Sequence, residues 1–213
     1  PNQSYGITAQ GGFALGHTAL NDPGTVAAPD DAPIFGASAT SDVMPMVMQL
    51  TKTAAVPEED GTYIGELASG PNHPVTYTLS IDVATGETVN GLSLTDVIPG
   101  DLAYLGNLQV LDSGGNPLAF TTNDEPLINS DGLTGTPASD NLLDLSFGSV
   151  TGVSGTDITI TYEAFIPFTD GESSAAVIDP ETGEQLDISP YNDAQITGLW
   201  NGNPVSDNEV RMG

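Results

Sequence analysis

Cysteine is absent from the 213 residues, and only Lys52 and Arg211 carry a full positive charge. The first absence excludes disulfide staples and thiolate metal sites. The second leaves 29 acids almost unopposed, for a net charge of −27. Nucleic acid or an anionic lipid surface would repel such a chain, so nucleic acid is excluded as a partner. Apolar runs are short: none approaches the roughly 20 residues that a membrane helix needs, and no membrane span is expected. Runs of Ala, Glu, Lys and Leu that build long helices are missing too. Aromatics are 6 % of the chain, with Trp200 the single tryptophan, which leaves little for a sugar-stacking surface.

Catalytic signatures are equally scarce. The two histidines, His17 and His73, do not form a His-Glu-x-x-His pair, and no zinc set can be assembled. There is no Gly-x-Ser-x-Gly elbow, phosphate loop or Gly-x-Gly-x-x-Gly run. Acid pairs such as Asp30-Asp31 and Glu58-Glu59 sit in loops, where solvation is their ordinary fate. A turnover enzyme is not expected, and no cofactor is implied. Ca²⁺ is the one ion the acids would suit, at Asn123-Asp124-Glu125, at Asn129 to Asp131 or at Asp179 to Asp187. None of these has the spacing of a known Ca²⁺ loop.

What the chain does have is punctuation and alternation. Its 25 glycines and 16 prolines are spread along the sequence, as many short strands joined by turns require. Residues 1 to 42 read as an arm and linker. Tyr5, Ile7, Ala9, Phe13 and Leu15 alternate with small and polar residues, which is the period of a half-buried strand. Residues 17 to 42 are rich in Pro, Gly and Asp and read as a linker. Such an arm suits a donor strand that adds to a sheet edge of a neighbouring copy, head to tail, so that repetition gives a filament. Its plainer alternative is an edge strand of its own domain. The chain opens at Pro1 with no visible signal peptide, so a removed or omitted upstream segment is expected.

Residues 43 to 213 read as one domain. Strands are expected around Met46 to Ala54, Val75 to Ile81, Leu92 to Asp96, Leu108 to Leu111, Leu118 to Phe120, Leu142 to Phe147 and Ile158 to Ile166. A last strand is expected over Asn192 to Leu199, and Asn123 to Asp140 reads as a long polar loop. Regular short strands with turn signals argue for an all-β, antiparallel sandwich.

Three segments carry a resemblance. They are Val75-Thr-Tyr-Thr-Leu-Ser-Ile81, Leu92-Ser-Leu-Thr-Asp-Val-Ile-Pro-Gly-Asp-Leu102 and Gly155-Thr-Asp-Ile-Thr-Ile-Thr-Tyr-Glu163. Together they resemble a prokaryotic surface-protein repeat with the pattern vtYtltvtN…vtDtlPaGl, over roughly residues 43 to 200. Where that pattern has Asn-x-Gly after its second strand, this chain has Asp82-Val-Ala-Thr-Gly86. The resemblance implies an immunoglobulin-like sandwich, an extracellular place on the cell surface, and partners that are copies of itself or tandem neighbouring domains. It names no receptor. Many relatives, and the pilin and collagen-adhesin domains they resemble, hold an internal Lys–Asn isopeptide bond between first and last strands, assisted by a buried acid. Here the resemblance points to Lys52, to Asn192, and to Asp96 as the acid, with Glu163 and Asp82 as alternatives.

Strand parity supports the same trio without the family. Lys52 shares a face with Met48 and Leu50, Asn192 with Ala194 and Ile196, and Asp96 with Leu92 and Leu94. A lone buried lysine is costly unless it is paired or chemically altered. Glu163 and Asp82 fall on outward faces. The expected function is thus a structural module of a surface filament or adhesin stalk. The alternative is an adhesin domain that binds carbohydrate or another ligand, with Ca²⁺ as helper.

Overall fold

A computed structural model describes residues 5–9, 12–13, 34–35, 38–43, 46–55, 72–129, 132–179, 181–182, 186 and 191–212. The chain forms two compact units, one over Asn2–Pro45 and one over Met46–Gly213.

In the first unit, β1 (Tyr5–Ala9) pairs antiparallel with β4 (Ala39–Val43), and β2 (Gly12–Phe13) with β3 (Ile34–Phe35). The alternating arm is therefore a strand, and its partner comes from the segment expected to be linker. Backbone pairing decides this, since Ser38 to Asp42 lack the apolar alternation that marks a strand. Leu15 lies outside the described residues.

The second unit is all-β, with two antiparallel sheets. Its strands are β5 (Met48–Ala55), β6 (Val75–Val83), β7 (Thr88–Val97), β8 (Ala103–Asp112), β9 (Thr121–Asp124), β10 (Leu142–Thr151), β11 (Ile158–Phe165), β12 (Tyr191–Trp200) and β13 (Asn203–Met212). One sheet runs β5-β6-β11-β8, the other β13-β12-β7-β10-β9. This is the architecture of an immunoglobulin-like sandwich. Among the described residues, no helix is long and apolar enough to cross a membrane.

Alternation builds the core. On β6, Val75, Tyr77, Leu79, Ile81 and Val83 are buried, while Thr76, Thr78, Ser80 and Asp82 face outward. On β11 the inward set is Ile158, Ile160, Tyr162 and Ala164. Facing them are Leu92 and Leu94 of β7, Leu143 and Leu145 of β10, and Ile196 of β12. Each buried Val, Leu or Ile of this set contributes about 1.5–3 kcal/mol on leaving water.

Two carboxylates fasten the frame. Asp157 is buried, and its two oxygens accept the backbone N–H groups of Val83 and Val153, both at 2.7 Å. Asp207 of β13 accepts the N–H of Leu50 at 2.8 Å, tying the outer strand of one sheet to the outer strand of the other. β13 also corrects the expected order: β12 is the penultimate strand, not the last. The two join through Asn201 and Gly202, both at positive φ (50° and 78°), the geometry of a tight primed hairpin turn.

Candidate functional site

Lys52 sits on β5, two residues beyond Leu50 on the same inward face, and is 2 % exposed. Its backbone pairs with Leu79, in the middle of the β5–β6 ladder. Across the core, Asp96 near the end of β7 is paired on both sides, with Leu143 and with Ala194. That register fixes Asn192, two residues from Ala194 on the inner face of β12 and likewise fully buried. One sheet thus supplies the amine; the other supplies the acid and the amide.

The three groups join one hydrogen-bonded chain. Lys52 Nζ lies 2.6 Å from Asp96 Oδ1. The Tyr162 hydroxyl donates to Asp96 Oδ2 at 2.9 Å. Asn192 Nδ2 donates to the Tyr162 oxygen at 2.6 Å. Asn192 Oδ1 is buried without a hydrogen-bond partner among the described residues. Tyr77 and Tyr162 stack at 5.2 Å between centroids, and Lys52 Nζ stands 5.4 Å from the Tyr77 ring and 6.0 Å from the Tyr162 ring.

Burial sets the protons. It lowers the Lys52 pKa, opposed by the attraction and hydrogen bond of Asp96. It raises the Asp96 pKa, opposed by Lys52 and by the Tyr162 hydrogen bond. Both burial effects favour the neutral pair, a free amine beside a carboxylic acid. Burial and the nearby Asp96 charge also push Tyr162 well above the ordinary phenol, so its hydroxyl keeps its proton. An amine freed of its proton is a nucleophile, and here it is held in the same dry network as a carboxamide.

The alternative acids lie elsewhere. Glu163 points to the outer face, where it accepts from Asn107 Nδ2 at 2.5 Å. Asp82 is exposed on the outer face of β6. Of the acid-rich loops, Asp179 is spent on the turn N–H groups of Glu181 and Thr182. Asn123 bonds Asp144 and Ser146. Among the described residues, no three His, Asp or Glu side chains gather as metal ligands. Trp200 is half-buried against the core, and its indole N–H donates to Glu87 at 2.7 Å.

No family model and no curated protein matches the chain. Several solved structures do. The major pilin subunit BcpA of Bacillus cereus is 10 % identical, with a TM-score of 0.47, over 82 % of this chain and 44 % of that one. The full-length major pilin SpaD of Corynebacterium diphtheriae is 15 % identical, with a TM-score of 0.45, over 77 % and 35 %. A collagen-binding domain of a Staphylococcus aureus adhesin is 13 % identical, with a TM-score of 0.40, over 80 % and 100 %. The likeness is one of fold. This chain spans less than half the length of either pilin.

Tyr162 and Tyr77 are the members of the site that the sequence did not single out. Both occupy inward positions of apolar strands, where an aromatic reads as ordinary core. The one available signal was parity: Tyr162 lies on the inward face two residues from Ile160, with a hydroxyl that a dry core must satisfy.

Proposed function

We propose that the sandwich is a structural module of an extracellular surface filament or adhesin stalk, locked by an isopeptide bond between Lys52 Nζ and Asn192 Cγ. The observation that carries this reading is the buried chain Lys52–Asp96–Tyr162–Asn192, built around the only lysine in the sequence. Asp96 is the assisting acid. The reaction forms one C–N bond, releases ammonia and happens once per chain, so it is self-processing rather than turnover.

A structural role gives that bond its use. It would join β5 to β12, hence one sheet to the other, and enclose about 140 residues, a loop whose closure is worth about 5 kcal/mol in the chain-entropy account. Force applied at the two ends would then pass through the bond, and the strands between could not unravel. Such a staple serves an exposed thread that has no disulfides.

Intact mass of the denatured protein tests the bond. A deficit of about 17 Da, one ammonia, is expected against the mass of the sequence. A mass with no deficit would remove the cross-link from the account.

Assembly is the second part of the proposal. Residues 5–9 already pair with 39–43, so donation of this strand to a neighbour would proceed by exchange of one intact pairing for another. Deleting residues 1–16 is expected to leave the sandwich folded, by circular dichroism, and to abolish filaments in electron micrographs. Filaments of normal length from the truncated chain would assign assembly to the sandwich itself.

A further inference from the structure

We propose that Tyr162 is a catalytic residue of the cross-linking step, carrying a proton from Asp96 to the departing nitrogen of Asn192. This rests on the cross-link reading above and assigns a role that the lysine, acid and amide do not fill.

The need arises from geometry. Asp96 touches the amine but not the amide. Its Oδ1 faces Lys52 Nζ, and its Oδ2 faces the Tyr162 hydroxyl. Among the described residues, only the Tyr162 oxygen reaches Asn192 Nδ2, at 2.6 Å. The two carboxyl oxygens of one acid therefore address the two ends of the reaction, one directly and one through a phenol.

Proton bookkeeping closes around this circuit. The neutral pair begins as a Lys52 amine and an Asp96 carboxylic acid. In the resting network the Tyr162 hydroxyl donates to Asp96 Oδ2 and accepts from Asn192 Nδ2. For the relay both bonds reverse: the acid proton lies on Oδ2 and is donated to the phenol oxygen, and the phenol O–H turns toward Asn192 Nδ2. The amine lone pair attacks Asn192 Cγ, and the carbon becomes tetrahedral. One Nζ proton passes to Asp96 Oδ1. The Oδ2 proton passes to the Tyr162 oxygen, and the Tyr162 proton passes to Asn192 Nδ2. A planar amide nitrogen accepts no proton, but the tetrahedral carbon frees its lone pair to do so. The C–Nδ2 bond breaks and ammonia leaves. Asp96 ends as a neutral acid with its proton on the other oxygen, Tyr162 ends as a phenol, and the new amide keeps one hydrogen from Lys52. No net charge is created in the dry core, where an isolated one is costly. The oxyanion formed at Asn192 Oδ1 on attack is matched by the positive nitrogen, and its electron pair re-forms the C=O as ammonia leaves.

The experiment follows the reaction in time. Chain recovered unfolded from inclusion bodies, with an unshifted mass, is refolded, and its loss of about 17 Da is tracked by mass spectrometry. Tyr162→Phe keeps the ring that stacks on Tyr77 and removes only the hydroxyl. It is expected to slow the mass shift by roughly 10²–10⁴-fold, the usual worth of a general acid. The wild-type rate is expected to fall in D2O with a curved dependence on deuterium fraction, because several protons move together. For Tyr162→Phe the curvature should vanish. Cross-linking at the wild-type rate in Tyr162→Phe overturns the relay and leaves the bond standing. Should that variant not fold, a linear dependence in the wild type overturns the relay by itself. A wild-type chain whose mass never shifts overturns the bond, and the relay with it.

Discussion

Replacing Lys52 with methionine is expected to lower the melting temperature by about 10–20 °C, the equivalent of about 5 kcal/mol in a domain of this size. The sign of the effect is what discriminates. Were Lys52 merely one half of a buried ion pair, methionine would be a tolerated replacement. Exchanging a whole buried ion pair for apolar groups of similar volume is often neutral or stabilising, whereas removing one partner costs about 3–5 kcal/mol when the other is left charged. Met48 and Leu50 flank the site on the same face. Asp96 would lose its partner but is raised by burial, so it can remain as a neutral acid bonded to Tyr162. A large loss on Lys52→Met is assigned to the covalent closure of the loop between β5 and β12 when Asn192→Ala, which leaves the Lys52–Asp96 pair in place, shows a loss of the same size. The same closure is lost in Asn192→Ala. The double variant should then melt close to the worse single variant, because the bond can be removed only once. Differential scanning calorimetry of the three proteins, each with its intact mass, makes the check. A Lys52→Met protein that melts at or above the wild type would leave only the ion pair.

How much of this could be read from the sequence depended on which residues a period of two exposes. Lys52, Asp96 and Asn192 stand at inward positions of strongly alternating strands, and parity alone sends them into the core. That they meet depends on register, which no local pattern shows. The pairing of Ala194 with Asp96 brings Asn192 within reach of Tyr162, and the pairing of β11 with β6 stacks Tyr162 on Tyr77. Tyr162 was thus legible as core and illegible as a link between acid and amide. β13 was missed for a different reason. Of its residues, Val205 is buried while Asn203, Pro204, Ser206 and Asn208 are exposed, so no apolar face announces a strand. The Asn201-Gly202 turn before it was a usable signal of a hairpin. β9 escaped likewise, since all four of its residues are exposed. In the arm, the alternation from Tyr5 to Leu15 marked a strand, but its partner at 39–43, mostly small and polar, carries no such alternation.

Gly135→Ala is expected to cost about 3 kcal/mol or more, at the upper end of what overpacking does. The added Cβ would lie 1.8 Å from the carbonyl oxygen of Gly100 and 3.0 Å from the Gly171 nitrogen. These neighbours are backbone, and they are themselves engaged. Gly171 N–H donates to the Gly100 carbonyl at 2.7 Å, Gly135 N–H to the Thr169 carbonyl at 2.8 Å, and Thr136 N–H to the Leu102 carbonyl at 2.7 Å. Three loop segments meet there with no side chain between them, and a methyl group can enter only by parting them. Gly86→Ala is the fitting control. Its φ is +83°, so alanine is strained, yet nothing lies within 4 Å of the new Cβ, and about 1–2 kcal/mol is expected. Thermal melts of the two variants compare lost space with backbone strain directly. The mass deficit should survive in Gly135→Ala. Asp96 is held from both sides by Leu143 and Ala194, in strands none of which contains Gly100, Gly135 or Gly171. A Gly135→Ala protein that melts with the wild type would mean that the three segments do not pack as described. One that melts low and also fails to lose ammonia would mean that the junction, and not strand pairing alone, holds Asp96 against Lys52.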